Sequence, residues 1–351
     1  MSVETVGYIG LNHHHCEPYL ATLETLPIDV TCACELDSTF DPESVVGLGK
    51  VPIYDDPETL LAEEDVDAVV VSLSNRKTPG VIELAVEAGV HVYTEKPVAR
   101  TAAELEPLIE YVADADVTVG VSYTWQGHPI TEQLNELIET GFYGDLRAFE
   151  ARFMASKLDY RDTSHFIFDA DASRGGILQW LGIHWIQLLT WLLEEPIVRV
   201  NARTSHGTPD VSVEDGAAVQ LESASGALGT LQCGYYLGEE LYDTQLNLYG
   251  TRGRSIWDPM GREFGFDGET TVELDSFGDE WGSTPHRTIV HDYDPAPGYG
   301  GRPGREFMEA FFDACESGDE PPVGLDAALD VLKILDAAYE SAETNEWVAV
   351  E

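Results

Sequence analysis

Residues 4–20 read ETVGYIGLNHHHCEPYL. ETVGYIG (4–10) is a short apolar run ending on a glycine, and HCEPYLATLETL (15–26) carries apolar residues at helical spacing, so the stretch reads strand, tight turn, helix. The alternation repeats downstream. DVTCACELD (29–37) predicts a second strand, PETLLAEED (57–65) a helix and DAVVVSLS (67–74) a strongly β-branched strand. TPGVIELAVEAG (78–89), VHVYTE (90–95), TAAELEPLIEYVADA (101–115) and VTVGVSY (117–123) continue as helix, strand, helix and strand. Strands alternating with helices through short connections imply an α/β, doubly wound parallel sheet over residues 1–123.

The character changes after the predicted helix HPITEQLNELIETG (128–141). DLRAFEARFMAS (145–156), RVNARTS (199–205), EDGAAVQLES (214–223), GALGTLQCGYY (226–236), TQLNLYGTRG (244–253), RSIWD (254–258) and TVELDS (271–276) alternate in the manner of strands between turn signals. They predict a second α/β domain over 124–351, built on a large, mostly antiparallel sheet. One long helix, GGILQWLGIHWIQLLTWLL (175–193), interrupts the strands, and REFMEAFFDACESG (305–318) and GLDAALDVLKILDAAYESAE (324–343) close the chain as helices.

Length agrees with two domains, since 351 residues exceed one ordinary core. Charge is the loudest compositional feature: 64 acidic residues face 19 basic ones, a formal net of −45. Such a surface repels nucleic acid and anionic membranes. The acids lie within segments of regular apolar periodicity, which marks a folded acidic surface suited to the salt-rich cytoplasm of a halophile. Five scattered cysteines and no signal-peptide layout add the expectation of a reducing, cytoplasmic setting. The charge carries a direct test. The Debye length is about 10 Å at 0.1 M salt and about 3 Å at 1 M, so the melting temperature is expected to rise markedly between 0.1 and 1 M KCl. Equal melting at both concentrations would remove the halophile reading.

The opening turn lies where a G-x-G-x-x-G loop would cradle a pyrophosphate, but the register reads Gly10, Asn12, His15. Only the first glycine survives. Asn tolerates left-handed backbone angles, and a histidine at the third position stands at a helix N-terminus, where anions bind. Glu35 ends the second strand 25 residues beyond Gly10, at the place of a carboxylate that accepts a ribose 2′-hydroxyl, and no arginine follows it in ELDSTFD (35–41). That pattern points to NAD rather than NADP. TEKP (94–97) puts Lys96 at a strand end facing the crevice, and helical spacing puts Trp180, His184, Gln187 and Trp191 on one face of a largely apolar helix. For the triple histidine, a tag remnant is excluded by its place inside the strand–helix pattern. A metal centre is disfavoured because adjacent residues on a short loop rarely converge as ligands, so no metal is expected.

These features, with EAGVHVYTEKPVA (87–99), HPITEQLNELIETGFYGDLR (128–147), SRGGILQWLGIHWIQLLTWL (173–192) and ALDVLKILDAAYESAETNEWVAV (328–350), resemble the Gfo/Idh/MocA oxidoreductases over nearly the whole chain. The resemblance implies hydride transfer between a nicotinamide and a hydroxyl carbon of a sugar, polyol or glycoside, in a homodimer or homotetramer. It implies that Lys96 and His184 are catalytic, and that Gly10, Asn12, His13, His14, His15, Glu35, Ser72, Leu73, Ser74, Asn75, Glu95 and Lys96 line the cofactor. Tyr123, Arg161, His165, Trp180 and Gln187 are implied to meet the substrate. Three positions depart from the family pattern, two of them on the long helix, which usually has Asp four residues before the histidine and often another three after it. Here they are Trp180 and Gln187, and Thr78 replaces a histidine often found after the fourth strand. The altered helix leaves open a cofactor-retaining glycoside hydrolase or lyase working through transient oxidation, and the degraded glycine loop, in a family that includes non-catalytic sensors, leaves open a non-catalytic binding regulator.

Overall fold

A computed structural model describes residues 3–208, 211–259, 270–278, 282–291 and 296–351. The chain begins β1 (Thr5–Ile9), α1 (Cys16–Leu23), β2 (Asp29–Cys34), β3 (Ile53–Tyr54), α2 (Pro57–Glu63), β4 (Ala68–Val71), α3 (Thr78–Glu87), β5 (His91–Thr94), α4 (Ala102–Ala113) and β6 (Val119–Val121). It continues with α5 (Pro129–Glu139), β7 (Leu146–Ser156), α6 (Ala170–Ser173), α7 (Ile183–Leu193), β8 (Ile197–Ser205), β9 (Gly216–Ser223), β10 (Leu228–Leu237) and β11 (Asp243–Gly250). Then follow β12 (Gly253–Trp257), β13 (Thr270–Ser276), β14 (His286–His291), α8 (Gly301–Ser317), α9 (Leu325–Thr344) and β15 (Val348–Ala349).

Two compact units result, Met1–Thr124 with Pro295–Leu329 and Trp125–Asp294 with Asp330–Glu351. In the first, the parallel sheet runs β3-β2-β1-β4-β5-β6. The order reverses between β1 and β4, and ligands of such sheets bind outside the carboxyl ends of the strands at that point. Every residue of β4 is buried, which explains its unbroken AVVV run. The division differs from the contiguous domains expected at 123/124, because α8 returns to the first sheet. Gly120 in β6 leaves room for Phe311, whose ring would stand 2.5 Å from an added Cβ, and the Val121 N–H donates to the Val323 carbonyl at 2.9 Å. The sequence of α8 announces an apolar face, Phe307, Met308, Phe311 and Phe312, but not which sheet it covers.

Among the described residues the second unit holds a nine-stranded sheet ordered β14-β13-β12-β11-β7-β10-β9-β8-β15. Its pairings are antiparallel except between β7 and β10, which run parallel. Gly229 permits the Phe149 ring to lie across that seam, since an added Cβ would meet it at 1.8 Å. The segment Ala170–Leu193 is long and apolar enough to cross a membrane by length and composition, yet 78% of its most apolar window is buried within the fold. The single helix expected over 175–193 is interrupted: Leu178–Gly182 form a π-helical turn before α7. A π turn shifts the faces of the helix by part of a turn, so Trp180 and His184 do not simply stack one above the other. Gly182 faces Leu178 and Cys233 at this turn, with an added Cβ at 3.0 and 3.3 Å from them.

Candidate functional site

In the first unit the turn after β1 needs its glycine. Gly10 has φ +99°, and an added Cβ would lie 2.2 Å from the Ser72 carbonyl oxygen at the end of β4. No other residue combines that dihedral with that approach. Next along, the Asn12 N–H donates to Glu35 Oε2 at 2.7 Å, while Glu35 Oε1 accepts the Asp37 N–H at 2.8 Å. The carboxylate at the end of β2 is therefore tied to the loop and keeps the lone pairs to accept a further hydroxyl. Asp37 lies beside it, its pKa lowered mainly by hydrogen bonds from Thr39, with Lys77 a smaller contributor. After β4, Ser72 shares a hydrogen bond with Tyr8 (2.9 Å), Leu73 and Asn75 are buried, and the Ser74 carbonyl accepts the Lys77 and Thr78 N–H groups that begin α3.

Glu95, at the end of β5, is the centre of a buried polar network. Its Oε1 accepts hydrogen bonds from His15 Nδ1–H at 2.6 Å and from the Tyr19 hydroxyl at 2.5 Å, and its Oε2 accepts the Lys96 N–H at 2.8 Å. The Tyr19 hydroxyl also meets Ser122, which accepts from Tyr93 at 3.1 Å. Against the opposing cost of burial, His15 and then Lys96 hold the Glu95 carboxyl well below the usual carboxylate range. Lys96 itself is 3% exposed, and burial lowers its pKa from the ordinary lysine value against the pull of Glu95. Glu95 was expected as a cofactor contact; its geometry is that of a residue that positions His15 and the Lys96 backbone. Sequence reasoning missed Tyr19, Ser122 and Tyr299 around it. Only Tyr19 left a signal, one helical turn from His15.

The three histidines bring their ligand nitrogens within 4.8 Å of one another. Their hydrogen bonds nevertheless argue for a loop that faces an anion. His13 Nδ1 accepts the His15 N–H at 3.1 Å, which puts the His13 proton on Nε2, and His15 Nδ1 is committed to Glu95. Burial pushes the neighbouring Cys16 thiol up to about 12, so it offers no thiolate. With the glycine turn, the carboxylate end of β2 and the helix N-terminus together, the residues fit a dinucleotide.

In the second unit, His184 lies buried in the first turn of α7, its ring stacked on Trp125 with centroids 4.9 Å apart and planes at 14°. Gln187 Nε2 donates to Gln126 Oε1 at 2.6 Å. Trp180 reaches the loop of His165 through Phe166, with ring separations of 6.2 and 4.2 Å. Arg161 instead turns to Ser156 and Tyr242 and lies over the Tyr235 ring. Tyr123 is buried in the first unit. Two supports were not legible beforehand. Trp125 stacks on His184, and Glu214 accepts the Gly176 and Leu178 N–H groups at 2.7 and 3.0 Å at the entry of the helical segment.

Residues 5–123 match the model of an oxidoreductase family with an NAD-binding Rossmann fold, and residues 131–256 match the GFO/IDH/MocA C-terminal domain. The chain is 29% identical over 304 residues to "D-xylose 1-dehydrogenase (NADP(+)) 2" of Haloferax volcanii, covering 87% of this chain and 86% of that relative. In fold it is similar to an oxidoreductase domain protein from Kribbella flavida, with TM-score 0.87, 21% identity and all of both chains covered. It is similar also to a levoglucosan dehydrogenase solved with NADH and levoglucosan, with TM-score 0.84, 20% identity and 99% of both chains covered.

Proposed function

The chain belongs to the GFO/IDH/MocA oxidoreductase family, and on that premise we propose that it is a dehydrogenase of a sugar or polyol hydroxyl carbon with NAD as its preferred partner. The carrying observation is Lys96, a buried lysine at the carboxyl end of β5 whose backbone is held by Glu95. The nicotinamide, when bound, supplies the acceptor or donor of the hydride. Gly10, Asn12, His13, His14, His15, Glu35 and the Ser72–Asn75 loop would hold the dinucleotide. Lys96 stabilises negative charge on the substrate oxygen, His184 accepts its proton, and Trp180 and His165 border the sugar. Two of the proteins named above are named as sugar dehydrogenases, one for D-xylose and one for levoglucosan, with which it was solved. Neither the glycosidase nor the regulator alternative draws support from them.

NAD is favoured because a 2′-phosphate at the end of β2 would meet the Glu35 carboxylate with Asp37 two residues on. The Haloferax relative is named for NADP(+), so the choice needs its own test. Titrating the protein with both cofactors is expected to give tighter NAD binding, by about tenfold or more on the one-unit scale of a nearby like charge. Glu35→Ser should narrow the gap. A wild-type preference for NADP would assign the 2′-phosphate to a cation such as Lys77, which already acts on Asp37.

A further inference from the structure

His15 takes the place of the third loop glycine, stands at the N-cap position of α1 without a side-chain capping bond, and is only 8% exposed. Its Nδ1 donates to Glu95, whose ionised carboxylate has only acceptor sites. The proton on Nδ1 is thereby fixed, and Nε2 is the atom left to meet a ligand. Among the described residues Nε2 makes no hydrogen bond to the protein. The first βα turn of a doubly wound sheet is where a dinucleotide's pyrophosphate lies. In the neutral ring Nε2 is an acceptor and repels phosphate oxygens; with a proton it becomes a charge-assisted donor.

We propose that His15 is the pyrophosphate-binding cation of this loop, meeting the dinucleotide with a proton on Nε2 as well as on Nδ1, while Glu95 compensates the imidazolium and ties it to the Lys96 backbone. The inference rests on the cofactor reading above and adds a pH linkage to it. The groups that face His15 are few. His14 and His13 pack on it from the loop at 4.0 and 5.2 Å between ring centroids, Tyr19 from α1 at 6.0 Å, and Tyr299 from the turn before α8 at 4.2 Å. Glu95 and Lys96 close the set from the end of β5. Burial holds the phenols of Tyr19 and Tyr299 well above their usual range, and Glu95 stays ionised, so neither phenol nor carboxylate titrates between pH 6 and 9. Lys96, His13 and His14 are the competing titrants.

The test is NADH affinity by fluorescence from pH 6 to 9 in molar KCl, with proton uptake measured by calorimetry in buffers of different ionisation enthalpy. The dissociation constant should rise with pH, by up to about tenfold per pH unit over the part of that range in which one proton is taken up on binding. Adenosine, which lacks the pyrophosphate, should bind with flat affinity. His15→Gln should bind NADH weakly and without the slope. His15→Lys, a cation across the whole range, should restore affinity and remain flat, which a merely structural role does not explain. Lys96→Met should keep the slope. A wild-type affinity that is flat in pH, or a slope that survives in His15→Gln but vanishes in His14→Gln, His13→Gln or Lys96→Met, overturns the inference while leaving the cofactor reading intact. Failure to bind NADH or adenosine at any pH overturns both.

Discussion

Replacing Lys96 by methionine is expected to lower kcat by about a hundredfold or more with little change in NADH affinity, on the scale of losing one aimed donor or one proton-transfer group. Lys96 is placed by two independent ties. Its chain position ends β5 at the mouth of the parallel sheet, and its N–H is pinned to Glu95 Oε2. A charge held in a partly dry site acts on a developing alkoxide more strongly than it would in water, and burial has already lowered the Lys96 pKa, so the group exchanges its proton more readily than a surface lysine. The same shift predicts the stability of the variant. A lysine whose folded pKa lies below its unfolded value weakens the fold at pH values below the folded pKa, and the penalty fades as pH rises towards the unfolded value. Methionine of similar volume removes the penalty, so at neutral pH Lys96→Met should melt no lower than the wild type. Lost activity together with an unchanged or higher melting temperature assigns Lys96 to the reaction. Wild-type kcat in the variant would remove it.

What could be read beforehand followed the range of the forces involved. The parallel sheet was legible because buried strands such as AVVV, and helices with one apolar face, declare themselves over a few residues. The two-residue strand β3 and the polar, half-exposed β14 carry no such signal, and they exist because a neighbour offers an edge. The parallel β7–β10 pair unites strands separated by α7, β8 and β9, a matter of chain return rather than local propensity. The π turn at Leu178–Gly182 was equally silent, since every residue in LQWLG suits an ordinary buried helix. Site residues divide the same way. Gly10 and Glu35 could be found because backbone geometry and strand ends restrict residue type. The bond from His15 to Glu95 joins positions 80 apart and became visible only in the fold. His184 could be named, but the partner that orients it could not: the Asp expected at 180 is Trp180, and the ring instead lies flat on Trp125.

His184 then supplies the second large effect. His184→Gln, which keeps much of the packing against Trp125 but has no nitrogen that can take up a proton, is expected to lower kcat by about 10²–10⁴-fold. It should also flatten the acidic limb of the pH–rate profile for alcohol oxidation. The sign follows from the role. A base must be unprotonated to accept, so the wild-type rate should fall towards acid pH, and a variant without the base has nothing left to protonate. Stability separates chemistry from packing: His184→Ala opens a void beside Trp125 and should melt lower than His184→Gln, while both lose the same limb. Trp125→Leu should leave the base in place but free its ring, lowering kcat by less than either His184 variant and keeping the limb. If Lys96 and His184 serve one proton and charge transfer, the double variant Lys96→Met/His184→Gln should be little slower than the worse single variant, because groups that act as a unit are not additive. Losses that multiply, with an acidic limb preserved in His184→Gln, would return His184 to the core of the second unit and leave the proton to another acceptor, for which His165, linked through Phe166 to Trp180, is the next candidate on the same unit.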